Sequence, residues 1–407
     1  MSAVGPRLAA TFSSIKTRNY RLYLLGNSFS NIGEWAQRIG QAWLVLELSG
    51  SAVLLGVTAA LQAAPMVFIG PWGGLIADRV NKRHLILLTQ VLSACLAAGL
   101  GVLTALGIIE VWMVFCFAFA LGGVKAFDHP TKQSFVLELV EPGQLTNAVT
   151  LNSVAFNVAK TIGPALGGFL ISWVGIASSF FVNAVSYLGM ILAVLLMDRA
   201  AISYSPRISR GPRQLREGLR YVASTPILAA PMVLMAVTGM LAYEWQVMLP
   251  LFARDAFGGD AQMFGTMFSA MGIGSIVGGL GVAGALRPTA RSLLGSGTVF
   301  SIVFILTGAS RNVELAIVAL FVLGGANTAF RATGQSILQG NARPEMRGRV
   351  TSLLSVAFLG STLVGGPLIG WLADVIGIKP TMMAIGVCVL AASVQTFVTT
   401  RRHPELR

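Results

Sequence analysis

The sequence predicts an all-α membrane protein in which twelve transmembrane helices form two pseudo-symmetric six-helix halves. Hydrophobic residues make up 55% of the 407 residues and charged residues only 11%, with a mean hydropathy of +0.74. A soluble domain usually has about 25% charged residues, which solvate its surface. Stretches of roughly 20 apolar residues are long enough to cross a bilayer as helices. They occur twelve times, and we number them segments 1 to 12: 22–47, 52–77, 84–107, 111–131, 145–173, 176–197, 227–252, 262–286, 292–310, 313–338, 350–374 and 380–399.

An internal repeat predicts the two halves. Residues 119–176 recur 202 positions further along the chain without a gap, with 19 identical residues among 58. A repeat of this size within apolar segments indicates two like halves, which we place at 1–197 and 218–407. The longest polar stretch, 198–217, is rich in Arg, Ser and Pro and is predicted to be a cytoplasmic linker between them.

The net charge of +13 is explained by the positions of the basic residues. With the N-terminus in the cytoplasm, 22 of the 29 Lys and Arg lie on the cytoplasmic side. This bias follows the positive-inside rule and predicts a multi-pass protein of the inner (cytoplasmic) membrane, with both termini cytoplasmic and membrane lipids as partners. No interleaving of basic and aromatic residues favours a nucleic-acid partner.

The sequence lacks the patterns of catalytic and metal sites. The three Cys lie inside predicted helices at no metal or disulfide spacing, and only three His are present. No Gly-x4-Gly-Lys-Ser/Thr loop for nucleotide phosphates occurs. We therefore expect no metal, no cofactor and no enzymatic activity.

The loop between segments 2 and 3 contains a recognisable motif. Its sequence is Gly74-Leu75-Ile76-Ala77-Asp78-Arg79-Val80-Asn81-Lys82-Arg83. It resembles the signature Gly-x-x-x-Asp-Arg-x-x-Arg/Lys-Arg of the major facilitator superfamily, with Asn81 in place of the usual Gly. The resemblance implies the major facilitator fold, with a substrate site between two halves that open alternately, and it covers the whole chain.

The resemblance also implies a gate at this loop. In the family, the equivalent of Asp78 faces the N-terminus of helix eleven, where the helix dipole favours a carboxylate, and closes the cytoplasmic side. We expect Gly74, Asp78, Arg79, Lys82 and Arg83 to belong to this gate. The alternative is that the three basic residues only fix the topology.

A glycine–proline element in segment 5 bears on the direction of transport. Gly163-Pro164-Ala165-Leu166-Gly167-Gly168 is similar to the element typical of antiporters of the superfamily. Gly163 and Gly167 permit close helix contact, and Pro164 weakens the helix locally, so the element is either a hinge or a tight packing surface.

The implied function is proton-coupled export of amphipathic small molecules or drugs by a monomeric secondary transporter, whose partners are its substrate and protons. The overall pattern is closest to the drug and siderophore exporters of the superfamily. The alternatives are a substrate-specific siderophore exporter, a lysophospholipid flippase, an importer, or a receptor that does not transport.

Two glutamates in apolar segments are candidate proton-coupling residues, because an ionisable side chain in a bilayer is costly unless it is paired or hydrated. Glu34 lies in segment 1 and Glu244 in segment 7, each 17 residues before the expected start of the next helix, near Ser51 and Ala261, which predicts that the two are pseudo-symmetry mates. Arg38 follows Glu34 by one helical turn, so we expect an ion pair that keeps Glu34 charged. No basic residue lies within a turn of Glu244, which makes it the preferred site of the exchangeable proton. The alternative for Glu244 is a solvated position near the outer surface.

Four further charged residues inside predicted membrane segments are candidate functional residues. Lys125 and Asp128 are in segment 4, and Arg331 is in the matching part of segment 10. The preferred interpretation is a plain salt bridge between Lys125 or Arg331 and Asp128, and the alternatives are an inner gate or attraction of an anionic part of the substrate. Lys160, in segment 5, is predicted either to pair with Asp78 or Asp128 or to line the cavity.

Aromatic and sulfur-containing side chains are expected to complete a pocket for an apolar ligand. Trp35 and Trp245 are the preferred candidates because each adjoins one of the two glutamates. The candidate cavity residues are Trp35, Trp43, Phe127, Phe156, Trp245, Met248 and Phe330, together with two charged residues, Arg38 and Arg331.

Overall fold

The computed structural model describes residues 13–77, 79–202, 214–281 and 289–401. Within these ranges the chain forms fourteen α-helices, joined by turns and by three short 3₁₀ segments. The helices are α1 (Arg18–Ser49), α2 (Ala52–Ala77), α3 (Lys82–Ala105), α4 (Val111–Leu139), α5 (Leu145–Val174), α6 (Ala177–Leu195), α7 (Gln214–Ala223), α8 (Pro226–Ala242), α9 (Trp245–Phe257), α10 (Ala261–Gly281), α11 (Ala290–Gly308), α12 (Val313–Asn341), α13 (Arg347–Ile376) and α14 (Ile378–Arg401).

The helices follow the predicted segments. Segments 1 to 6 correspond to α1–α6, segment 7 to α8 and α9 together, and segments 8 to 12 to α10–α14. Eleven of these twelve are long and apolar enough to cross a membrane. The remaining one is α1, whose 32 residues include several Asn and Gln as well as Glu34 and Arg38, and these lower its mean hydropathy.

Segment 7 is predicted as one uninterrupted helix, but the structure divides it into two. The helix stops at Ala242 and restarts at Trp245, with Tyr243 at φ −111°, ψ 2° and Glu244 at φ −82°, ψ 50°. The hydropathy of 227–252 contains no sign of this interruption, because it depends on backbone dihedral angles at two residues and not on apolar content.

The chain forms two compact units. The first contains Met1–Gln41 and Pro65–Ser209, and the second contains Ala42–Ala64 and Arg210–Arg407. Residues 42–64, which precede the repeat in sequence, are thus part of the second unit. The halves 1–197 and 218–407 stay a prediction, and their linker 198–217 falls largely outside the described residues.

The first unit has an apolar core near the N-terminal end of α1. Tyr20, Tyr23 and Phe135 are almost completely buried there, together with residues of α3 and α6. The Tyr20 hydroxyl donates a hydrogen bond to the Ala148 carbonyl, 2.7 Å away. Each buried phenol therefore brings a large apolar ring and a polar group that is satisfied by the backbone.

In the second unit, glycines bring helices into backbone contact. A Cβ added to Gly274 of α10 would collide with the carbonyl oxygen of Phe321 in α12, and one added to Gly278 would collide with Gly325. Small residues four apart form such an interface because, in a membrane, helices associate through close packing and not through burial from water.

The turn between α1 and α2 is held by polar contacts within the second unit. Gly50 has a φ of +65°, a left-handed conformation that suits glycine. The Asp374 carboxylate accepts hydrogen bonds from the amides of Ala52 (3.1 Å) and Val53 (3.3 Å). The guanidinium of Arg254 donates to the carbonyl of Gly50 (3.3 Å) and to that of Leu46. An anion thus caps the start of α2 and a cation caps the end of α1, the signs that the two helix dipoles favour.

The glycine interface between α10 and α12 predicts the effect of a single methyl group. Replacing Gly274 with Ala is expected to lower the free energy of unfolding by about 1–3 kcal/mol, because the backbones must separate. The check is thermal unfolding of the purified protein in detergent. Gly295→Ala in α11 is the matched control, because its Cβ meets nothing within 4 Å and alanine favours the helix. Equal melting temperatures for the two variants would contradict the assignment.

The capped turn predicts a local change in hydrogen exchange. Asp374→Ala removes the acceptor of the Ala52 and Val53 amides, so a peptide covering residues 50–58 should exchange at least threefold faster, since exchange reports local opening. The control is Glu314→Ala, which removes an exposed acid elsewhere in the second unit. Unchanged exchange in the Asp374 variant would show that the carboxylate does not hold the turn.

Candidate functional site

Glu34 lies in the middle of α1 and binds two cations. Its carboxylate is 3.0 Å from a guanidinium nitrogen of Arg38 and 2.5 Å from the Lys125 ammonium on α4. The glutamate side chain is only 12% exposed. The structure thus contains the Glu34–Arg38 pair that the helical spacing predicts, and it adds Lys125, for which the sequence suggested only Asp128 as an acidic partner.

Asp128 is the centre of a second polar cluster in the same unit. Lys132, one turn further along α4, lies 3.0 Å from its carboxylate, and Lys125 lies 3.8 Å away. Thr89 and Gln90 of α3 donate hydrogen bonds of 2.7 and 2.9 Å. Both carboxylate oxygens of the buried aspartate thus have partners, as a buried charge requires. The i, i+4 spacing of Asp128 and Lys132 was a sequence signal for this pair, whereas Thr89 and Gln90 gave none.

Two basic residues of the motif loop, Lys82 and Arg83, contact other residues of the first unit. The Lys82 ammonium lies 2.5 Å from the carboxylate of Glu138, and the Arg83 Nε donates to the Val194 carbonyl at 3.2 Å. Arg79 is exposed, and Gly74 is half-buried. Glu138 was missed from the sequence because it is distant along the chain. Asp78, the expected gate residue, lies outside the described residues.

The glycine–proline element of α5 packs against α1. A Cβ on Gly163 would lie 2.5 Å from the Trp35 Cβ, and one on Gly167 would lie 2.7 Å from the Ala36 carbonyl oxygen. Pro164 and Gly168 are buried. These contacts are those of a tight helix interface, and they fix Trp35 beside α5.

Trp35 has an aromatic neighbour and two cations near its ring. Phe156 of α5 meets it edge to face, with the ring centroids 6.2 Å apart. The Arg38 guanidinium carbon lies 4.6 Å from the centroid of the tryptophan ring, and the Lys160 ammonium lies 5.8 Å from it. Cations within about 6 Å of a ring face are attracted by its quadrupole. Phe127, on α4, is half-buried.

In the second unit, Glu244 occupies the break between α8 and α9. Its carbonyl accepts the first hydrogen bonds of α9, from Val247 and Met248. The residue is 5% exposed, and its side chain hydrogen-bonds to Thr362 of α13. A Cβ on Gly365 would lie 3.4 Å from the Glu244 Cγ. Over the ranges that the structure describes, no ion pair involves this carboxylate.

Tyr243, the other residue of the break, is surrounded by polar and aromatic groups. Its hydroxyl donates to the Asn327 side chain of α12, and its ring meets Phe358 edge to face at 5.2 Å. The exposed Arg331 guanidinium lies 5.5 Å from the tyrosine centroid and 5.2 Å from that of Phe358.

Three further candidates are buried inside the second unit. Trp245 is 4% exposed and packs on Phe304 at 5.3 Å. Phe330 stacks on Phe300, and Met248 is completely buried. Their present contacts are those of core residues, and a role in binding substrate stays a prediction. Trp43 is half-buried.

The repeat shows that the two units place different chemistry on one framework. Gly163 and Gly365 are repeat mates, that is, residues 202 positions apart that occupy equivalent places in the repeat. A Cβ on Gly163 would meet the Ile32 carbonyl, and one on Gly365 would meet the Met240 carbonyl. Phe156 and Phe358 are mates as well, and they contact Trp35 and Tyr243. Trp35 therefore corresponds to Tyr243, so Glu34 and Glu244, two residues out of register, are not equivalent positions.

The mates of the lysines explain the difference between the two glutamates. At the 202-residue offset, Lys125 corresponds to Asn327 and Lys160 corresponds to Thr362. The positions that carry ammonium groups in the first unit carry an amide and a hydroxyl in the second. Glu34 consequently has a charged partner, whereas Glu244 has a neutral hydroxyl.

Comparison with known proteins establishes the family. A model of the major facilitator type, described as "Transmembrane secretion effector", matches residues 9–405. The chain belongs to this family. It is therefore a transporter of the major facilitator superfamily and not an enzyme, as the motif loop and the repeat predict.

Relatives and solved structures agree with this assignment. The transporter is 24% identical to the staphyloferrin A transporter of Staphylococcus aureus, over 93% of this chain and 96% of that one. It is 24% identical to the multidrug efflux pump Tap of Mycolicibacterium fortuitum, over 86% and 88% of the two chains. The structure of a bacterial homologue of the human lysosomal transporter Spinster superposes with a TM-score of 0.76 at 14% identity, covering 96% of this chain and 98% of that one. The nucleoside transporter NupG superposes with a TM-score of 0.72 at 13% identity, over 95% and 99%. The predicted fold is thereby confirmed.

The Glu34–Lys125 pair predicts a large effect on the stability of the transporter. Lys125→Met leaves two buried carboxylates with fewer cations, so unfolding should become easier by about 3–5 kcal/mol. Adding Glu34→Gln should recover part of the loss, because one of those charges is removed. The measurement is a double-mutant cycle of thermal unfolding in detergent, with the exposed Lys16→Met as control. Strictly additive effects would argue against coupling between Glu34 and Lys125.

Proposed function

We propose that this transporter exports small amphipathic molecules in exchange for protons, and that Glu244 carries the exchanged proton. The observation that supports the proposal is the setting of Glu244: a carboxylate 5% exposed, at a helix break, with a hydroxyl partner and no ion pair in the described part of the chain. The charged form of such a group is poorly stabilised, so its proton is bound and released in response to a change in surroundings.

The broken helix supports the same assignment. Transporter binding sites are typically built at discontinuous helices, where backbone groups are not all used within the helix. Beside the break, the Trp245 indole N–H is buried with no hydrogen-bond partner among the described residues. A buried polar group of this kind calls for an explanation, and a water or substrate atom that enters in another state supplies one.

Glu34 has a different role in this proposal. Its two cations, Arg38 and Lys125, hold it in the charged form, so it orients neighbouring groups and does not exchange a proton. Coupling requires that the two transport states differ in proton affinity. Glu244 meets this requirement if water reaches it from one side of the membrane at a time, as alternating access provides.

The direction of transport is supported by the relatives. Two of them are named for efflux: the multidrug efflux pump Tap, and macrolide efflux protein A of Streptococcus pyogenes, which is 22% identical over 94% of this chain and 96% of that one. The antiporter-like element of α5 points the same way.

A second candidate function is substrate-specific export of a siderophore. The relative named staphyloferrin A transporter favours it, since the match extends over 93% of this chain. This candidate differs from the first in the breadth of its substrates and not in its mechanism.

Replacing Glu244 with Gln tests the coupling. The variant keeps the size and hydrogen-bonding capacity of the side chain but cannot release a proton, so proton flux driven by added compounds should fall at least tenfold. The measurement uses the purified protein in liposomes with an internal pH dye, an imposed proton gradient, and a panel of lipophilic cationic, neutral and anionic compounds.

The controls are Glu314→Gln, an exposed acid in the same unit, and thermal unfolding to confirm that the variant is folded. Full compound-driven proton flux in Glu244→Gln would refute the role of this residue. Substrate movement without proton flux in the unmodified protein would refute proton coupling itself.

A further inference from the structure

Each unit of the transporter presents one guanidinium beside an aromatic pair. In the first unit Arg38 lies over Trp35, whose ring meets Phe156. In the second unit Arg331 lies over Tyr243, whose ring meets Phe358. Because Phe156 and Phe358 are repeat mates, the same arrangement has been built twice on equivalent frameworks, from arginines at unrelated positions.

The first of these arginines has unused hydrogen-bonding capacity. Arg38 binds Glu34 through one terminal nitrogen, while its Nε is buried with no hydrogen-bond partner among the described residues. Glu34 is already neutralised by Lys125 at 2.5 Å. The side chain of Arg38 remains 27% exposed, so part of the guanidinium is open to a ligand.

The charges of this region do not balance. The polar clusters of the first unit contain two carboxylates, Glu34 and Asp128, and three cations, Arg38, Lys125 and Lys132, which leaves one positive charge in excess. A guanidinium stays charged at every physiological pH. Inside a membrane such a charge faces water or an anionic partner.

The second arginine is exposed and paired with rings only. Arg331 is in contact with Tyr243 and Phe358, and it forms no ion pair within the described residues of its unit. A guanidinium attracted to ring faces by their quadrupole keeps the N–H donors along its edge for an anion. That edge matches a carboxylate, which it can bind through two parallel hydrogen bonds.

We propose that Arg38 and Arg331 are docking points for a carboxylate or similar anionic group, and that the transported molecules are amphipathic anions. The aromatic pair beside each arginine supplies apolar surface for the rest of the molecule. This inference rests on the proposed function and specifies its substrate class. Export of an anion is also favoured by an inside-negative membrane potential, which drives negative charge outward.

The test is equilibrium binding to the purified full-length protein in detergent, which needs no transport. The probes share one of three naphthylalkyl scaffolds of increasing length and end in a carboxylate, a primary amide or an ammonium group. The tritiated carboxylate is measured by scintillation proximity, and the other two compounds compete with it. On at least one scaffold the carboxylate is expected to bind tenfold or more tightly than the amide.

Arginine variants assign this preference to the two docking points. The double variant Arg38→Gln/Arg331→Gln is expected to lower the affinity for the carboxylate tenfold or more, and each single variant to halve the amount bound at saturation, while the affinity for the amide changes less than twofold. Arg38→Lys keeps the charge but loses the planar fork, and should recover only part of the affinity. Arg311→Gln is the matched control, since it removes an exposed positive charge at the start of α12, and it should leave binding unchanged.

Two results would overturn the proposal: no preference for the carboxylate on any scaffold, or an equal loss of carboxylate and amide affinity in the arginine variants. The outcome is separable from that of proton coupling. Binding is measured without a proton gradient, so a missing carboxylate preference counts against the docking points, whereas a missing compound-driven proton flux counts against the coupling.

Discussion

Charged side chains in lipid-crossing helices must find partners within the protein, and the first unit is organised by this constraint. Glu34, Lys125, Asp128 and Lys132 form a continuous series of ion pairs from α1 to α4. Hydrogen bonds from Thr89 and Gln90 tie α3 to it. Apolar packing and glycine contacts hold the helices together, but they do not decide which helix faces meet. The ion pairs and hydrogen bonds of these charged residues do, because they require particular faces of α1, α3 and α4 to be in contact. A different rotation of α4 would leave a carboxylate alone in an apolar setting, at a cost that packing does not offset.

The second unit shows the same framework with most of its charge removed. Asn327 and Thr362 stand where the first unit has Lys125 and Lys160, and the helix that corresponds to α1 is interrupted at Tyr243 and Glu244. The first unit therefore carries an ion-paired carboxylate, and the second carries one that forms no ion pair with the described residues and lies at a break in the helix. The same repeat thus holds one carboxylate by ion pairs and the other by a hydroxyl.

The sequence predicted the features that depend on local spacing. The helices follow from runs of apolar residues, and the Glu34–Arg38 pair follows from the four-residue period of a helix. The family follows from the motif loop and the repeat, and the comparisons confirm it. The contact between Lys125 and Glu34 was not predictable, because it joins residues 91 positions apart and depends on how α1 and α4 are rotated. The burial of Trp245, Met248 and Phe330 was not predictable for a related reason: an apolar residue in a membrane segment gives no sign of which side of its helix faces the core.

The capped turn at Gly50 has a consequence for sequence variation. Asp374 and Arg254 bind mainly backbone amides and carbonyls of residues 46–53, groups that every amino acid except proline supplies in full. Side chains in this turn can therefore change widely while the contacts persist, provided that the left-handed residue is kept. The tolerance is one-sided. The residues that bind the turn are constrained, because the contacts of Asp374 and Arg254 depend on their charged side chains. Gly370 is constrained as well, because a Cβ there would collide with the Ala52 carbonyl. A library of turn sequences should consequently retain the structure far more often than a library at these three positions.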